Sequence, residues 1–179
     1  MAVSEPITVH VHTEPRTNGK GYVVTISAGE DVSKTLTPDK ALKHAYAVLQ
    51  AAHRAAYDAA VVKQLTHIGV QQDHAGQMVN DLREDRPALN KKDLWPLWLE
   101  PGVSAFTGEP FIHVFVDGQM VGQWSFADAQ AHATAVLGTV AVADLDSAYF
   151  LALTGLLNLD ENRAHNVVAD IANFREAGA

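Results

Sequence analysis

Cysteine is absent from the 179 residues. That excludes disulfides, thiolate nucleophiles and every cysteine-ligated metal site, and it fits a reducing compartment. Charged residues make up 19% and aromatic residues 7% of the chain. No uninterrupted apolar run reaches the length of a membrane span, so no membrane association is expected. The opening Met1-Ala2-Val3-Ser4-Glu5-Pro6 lacks the basic and apolar stretches of a signal peptide, and the expected location is cytoplasmic. The sequence also lacks a phosphate-binding glycine loop, a dinucleotide-binding turn and a nucleophile elbow. Positive charge is scarce in one place: from Leu94 to Ile171 the only Lys or Arg is Arg163. It faces nine carboxylates there, so the second half carries nearly all of the net charge of −8. Such a surface repels phosphate backbones, and nucleic acid is not an expected partner. Acidic surface also serves solubility, which is the plainer reading; a basic protein partner is the sharper one.

What the sequence does contain is a repetition. His44-Ala45-Tyr46-Ala47-Val48-Leu49 returns as His132-Ala133-Thr134-Ala135-Val136-Leu137. Upstream, Thr37-Pro38 aligns with Ser125-Phe126, and His12-Thr13-Glu14-Pro15 with Trp98-Leu99-Glu100-Pro101. Downstream, Ala75 and Val79 align with Ala164 and Val168 after a one-residue insertion. Nearly the whole chain reads as two copies of one unit.

In the first copy Ile7 to Thr13 alternates apolar and polar residues, a half-buried strand. A turn centred on Asn18-Gly19, a strand over Tyr22 to Ser27, a turn at Ala28 to Asp31 and a strand over Val32 to Leu36 follow. Thr37 is the expected N-cap of a long helix with Pro38 at its first position. The second copy gives strands over Trp95 to Leu99, Phe111 to Val116 and Met120 to Trp124, with Ser125 as the cap. The long helix could run to about Ile68 or break near Arg54, and in the second copy Gly138 and Asp144-Leu145-Asp146 make a break more plausible. Further helices are expected over Gln71 to Arg83 and Asp160 to Phe174.

The fold class is therefore α+β: two tandem βββα(α) repeats, each a three-stranded antiparallel meander packed on helices, arranged as a pseudo-twofold dimer. Residues 1–83 form the first repeat, 84–93 a linker and 94–179 the second.

The copies differ in an informative way. Val24 and Ile26 are the inward set of the middle strand, matched by Ile112 and Val114. The opposite face is Val23, Thr25 and Ser27 in one copy and Phe111, His113 and Phe115 in the other, while His12 becomes Trp98. The second sheet is thus apolar on both faces, which calls for cover on both. That cover is either the rest of the chain or a partner at Trp98, Phe111, His113 and Phe115.

Other candidates are weaker. His10-x-His12 projects two imidazoles from one strand face, the beginning of a metal site with no third ligand signalled. His44 and His132 occur in both copies and could share a role, but no nucleophile accompanies them. Leu65 to Leu82 resembles a helix-turn-helix loosely, with almost no cation to meet phosphate. No catalytic residue and no cofactor is assigned. The expected function is a non-catalytic protein-binding, self-associating or assembly protein, an accessory protein of the kind a phage or mobile element carries. The alternatives are a helix-turn-helix-like DNA-binding regulator and a metal-dependent enzyme using His10 and His12.

Overall fold

The computed structural model describes residues 9–17, 21–29, 32–104 and 106–177. It is an α+β fold with two three-stranded antiparallel sheets. The first sheet joins β1 (Val9–Pro15), β2 (Tyr22–Ala28) and β3 (Val32–Leu36) in sequence order. After it come α1 (Pro38–His67) and α2 (Gln72–Glu84). A four-residue helix, α3 (Lys91–Leu94), precedes the second sheet of β4 (Leu97–Val103), β5 (Pro110–Val116) and β6 (Gln119–Trp124), again in sequence order. The chain closes with α4 (Phe126–Gly155) and α5 (Glu161–Ala177).

Local sequence accounts for these boundaries. Val24 and Ile26 of β2 and Ile112 and Val114 of β5 point inward, all at most 2% exposed. Burying a side chain of that size stabilises by about 1.5–3 kcal/mol. Ser125 caps α4 through a complete capping box: its hydroxyl accepts from the Asp128 amide, and its own amide donates to the Asp128 carboxylate. Thr37 caps α1 by backbone geometry with Pro38 behind it, and its side chain makes no cap hydrogen bond. Gly69, at φ +95°, turns the chain out of α1 in a conformation that L side chains rarely adopt.

Several expectations need correction. Both long helices run unbroken for 30 residues: α1 takes the continuous course to about Ile68, and α4 lacks the break that Gly138 and Asp144–Asp146 make more plausible. Nothing lies within 4 Å of where a Gly138 Cβ would be, and Asp146 is paired across space with Arg175, so neither residue interrupts α4. Overlapping the end of the 84–93 segment is α3, capped by the Asn90 side chain accepting from the Lys92 amide. β4 runs from Leu97 to Val103 rather than from Trp95 to Leu99, and β2 continues through Ala28. The start of the first strand at Ile7, the Asn18-Gly19 turn and Asp31 lie outside the described residues. The sequence offers no uninterrupted apolar run of membrane length, yet by length and composition alone α4 qualifies as a span. Counting uninterrupted runs misses it, because Asp144 and Asp146 break the run without making the helix polar.

The core is built by exchange. α1 and α4 pack along each other. α4 lies mainly across β1 and β2, and α1 mainly across β4 and β5. Each long helix thus covers the sheet of the other half of the chain. Small residues make the close approach possible: Ala41, Ala45, Ala51, Ala52 and Ala55 of α1 and Ala129, Ala133 and Ala143 of α4 are all at most 1% exposed. One continuous cluster contains the inner residues of both sheets and both helices. The two halves therefore fold as one unit.

Candidate functional site

Three places concentrate unusual side chains. The first is at the centre, where α1 and α4 meet. His44 is fully buried and His132 is 8% exposed, and their Nε2 atoms are 3.1 Å apart. His44 Nδ1 lies 3.2 Å from the Asp93 carbonyl oxygen. A carbonyl only accepts, so Nδ1 of His44 carries its proton and Nε2 is left as an acceptor. Nε2 of His132 must then be the donor between the rings. Burial pushes His44 down to about 4, against the opposing hydrogen bonds to the Asp93 and Leu94 carbonyls. Burial, with His44 beside it, pushes His132 down to about 3. Trp124 flanks His132, with ring centroids 5.1 Å apart. The pair is neutral and shielded from solvent, and among the described residues no hydroxyl is hydrogen-bonded to either ring. It joins the long helices to each other and to α3.

The second place is a set of carboxylates buried under arginines. Asp58 of α1 is 1% exposed and accepts from Arg83 Nε and Arg86 Nη1, both at 2.6 Å. Asp146 of α4 is equally buried and accepts from Arg175 Nη2 at 2.6 Å. Sequence reasoning missed both. The arginines lie 25 to 29 residues away, and only the return of α2 and α5 brings them back. Near Asp146, the Tyr22 hydroxyl sits 3.2 Å from His165 Nδ1, and His165 stacks on Phe150 at 4.4 Å. Burial, with Asp146 close by, pushes the Tyr22 phenol up. These contacts fasten β2 to α4 and α5.

The third place is the outer face of the second sheet, where the structure brings together all four residues read from the sequence. Trp98 of β4 stands opposite Phe115 of β5. His113 lies between Phe111, at 4.5 Å, and Phe115, at 6.3 Å, measured between ring centroids. All four are partly exposed. Phe111 lies over its cross-strand neighbour Gly102, where a Cβ would overlap the ring. Glycine here lets the aromatic lie flat on the sheet. Trp98 donates from Nε1 to Glu100 at 3.1 Å, and Lys91 Nζ stands 4.7 Å from the Trp98 ring centroid.

The corresponding face of the first sheet is more polar, with exposed His12 and Glu14 beside buried Val23 and Thr25. His12 Nε2 is 2.8 Å from Glu14, whose other oxygen accepts from the Thr25 hydroxyl. The His12 contact holds the Glu14 carboxyl below its usual range. His10 and His12 do share this exposed face, but among the described residues no three His, Asp or Glu side chains converge as a metal site. Leu65 to Leu82 is a helical hairpin. The one Lys or Arg of α2, Arg83, is bound to Asp58.

No protein-family model matches the chain, and comparisons with curated proteins and with solved structures return no match.

Proposed function

We propose that the protein is a non-catalytic binding or assembly protein whose contact surface is the aromatic face of the second sheet: Trp98, Phe111, His113 and Phe115. The observation that carries this reading is the row itself. Four large rings share one partly exposed sheet face, while the first sheet has exposed His12 and Glu14, half-buried Ser27 and buried Val23 and Thr25 there. Aromatic residues of this kind are enriched where proteins meet, each able to remove about 150–250 Å² from water.

A second element supports the same reading. α4 turns Ala141, Leu145, Ala148, Tyr149 and Ala152 outward at helical spacing, with Leu145 at 42% and Tyr149 at 40% exposed, and Leu156 just after it is 81% exposed. Only 28% of the most apolar stretch of α4 is buried. The exposed positions of α1 mix Lys43, Gln50, His53, Lys63 and Gln64 with Tyr46 and Tyr57. An apolar surface of this extent is the mark of an association site, whether for a protein partner or a second copy of the chain.

We further read the fold as a tandem duplication in which the two halves stand in for the subunits of a dimer. The supporting features are the matched element order, equal 30-residue helices, the exchange of helices across sheets, and buried positions that recur along α1 and α4. A pseudo-twofold axis would then pass near the His44–His132 contact, where equivalent side chains touch.

The experiment is Phe115→Asp, read by size-exclusion chromatography with light scattering and by thermal melting. The expected result is an unchanged fold, with Tm within a few degrees, and loss of association. A large fall in Tm would mean that the face is closed within the monomer. An unchanged Tm with unchanged association would remove the face as a contact surface.

A further inference from the structure

The acidic second half hides a concentration of positive charge elsewhere. Lys34, Lys40, Lys43, Lys91 and Lys92 line a single cleft between β3, the start of α1 and α3. The chain has seven lysines, so five of them gather at one place in a protein of net charge −8. The only carboxylate in the lining, Asp93, is engaged with the Asn90 amide at 2.7 Å. Among the described residues the ion pairs are made by His12, Arg83, Arg86, Arg163 and Arg175, and no lysine takes part. Two of the five ammoniums meet an aromatic face, Lys34 at Trp95 (5.9 Å) and Lys91 at Trp98 (4.7 Å). Five ammonium groups against the single Asp93 carboxylate leave an excess of positive charge in the lining, which a bound anion would offset. The second half has no equivalent, since Gly122, Asp128 and Ala131 stand 88 positions after Lys34, Lys40 and Lys43.

The cleft also has an aromatic wall. Trp95 lines it and is 43% exposed, a flat apolar surface beside the ammonium groups. The volume is about 540 Å³, inside the roughly 300–1,000 Å³ typical of small-molecule sites. Lysines for phosphate oxygens and an indole for a ring fit one class of ligand.

We propose that this cleft binds a nucleoside polyphosphate, with the phosphate chain among Lys34, Lys40, Lys43 and Lys92 and the base against Trp95. The occupant is a small molecule rather than a strand of nucleic acid. The lysines are confined to one cleft, and no basic track leads away over the acidic second half.

The test uses the full chain and isothermal titration with ATP at low salt. Inorganic triphosphate and a single-stranded oligothymidylate are the competing probes. ATP is expected to bind, and to bind at least tenfold more weakly to Lys40→Ala/Lys43→Ala, in which both positions are exposed and the fold is retained by circular dichroism. Trp95→Leu is expected to weaken ATP while leaving triphosphate unchanged. Lys63→Ala, at the far end of α1, is expected to change nothing. No heat with ATP at millimolar concentration would overturn the proposal, as would ATP binding indifferent to the double substitution. Triphosphate binding as tightly as ATP would remove the base from the site. An oligonucleotide binding tenfold tighter than ATP would replace the small molecule with a polymer.

Discussion

Lowering the pH from 7.5 to 5.0 should cost the native state about 4 kcal/mol through two side chains, His44 and His132. In the unfolded chain each imidazole titrates near 6.5; in the native state His44 is pushed down to about 4 and His132 to about 3. The unfolded state therefore takes up protons first. The stabilisation is fully present above 6.5 and is lost as pH falls through the window between 6.5 and the folded values. At pH 5.0 both rings are still largely neutral in the native state, so repulsion between them does not enter. Each histidine then contributes about RT ln(1 + 10^1.5), roughly 2 kcal/mol, to the unfolded state alone. Against a total stability of about 5–15 kcal/mol for a domain, that is a large fraction.

The assay is urea denaturation at both pH values, on the native chain and on His44→Gln/His132→Gln. Other groups titrate in the same range, so the informative quantity is the difference between the two chains in their pH response. The glutamines remove the titration while keeping donors and acceptors at the helix contact. Their pH response should be smaller by about 4 kcal/mol. Nitrogen NMR shifts should also find the proton on Nδ1 of His44 and on Nε2 of His132. Equal pH responses, or either imidazole protonating near its ordinary value in the native protein, would refute the reasoning.

Arg175→Ala strips Asp146, 1% exposed, of its guanidinium partner and should cost about 3–5 kcal/mol in chemical denaturation. Arg83→Ala should cost less, because Arg86 remains on Asp58; equal losses would show that the two arginines do not share that carboxylate. Gly102→Ala forces the Phe111 ring off the sheet and should destabilise by about 1–3 kcal/mol, the usual cost of overpacking, with changed aromatic shifts at His113 as the direct readout. Duplex DNA should not be retained in a mobility assay at physiological salt, because the cations of α2 and its flank, Arg83 and Arg86, are held by Asp58. Sub-micromolar retention would instead promote the Leu65–Leu82 hairpin.

The parts of this fold that were legible in the sequence are those fixed by neighbours a few positions apart. Alternation around Val24 and Ile112 set the strands, and Thr37 and Ser125 set the helix starts, because pleat and cap are local geometry. Gly138 and Asp146 misled for the converse reason. Whether they break a helix depends on what stands beside them in space, and for Asp146 that is Arg175, 29 residues on. The passage of α4 across β1 and β2 is likewise a property of the assembled core, which no local pattern encodes. Comparing the two halves carries further than reading either one. Positions that agree, such as His44 with His132 and Asp58 with Asp146, are buried. Those that differ most, such as Lys43 against Ala131, Lys63 against Leu151 and His12 against Trp98, are exposed or partly so. Agreement thus follows the demands of packing, which both halves must meet to close one core. Divergence is plainest at these more exposed positions, although Val23 and Thr25, the counterparts of Phe111 and His113, are buried; with it go the lysines of β3 and α1 in the first half and the aromatic row in the second. The case for function rests on that divergence, because a core shared by both halves would be needed whatever the protein binds.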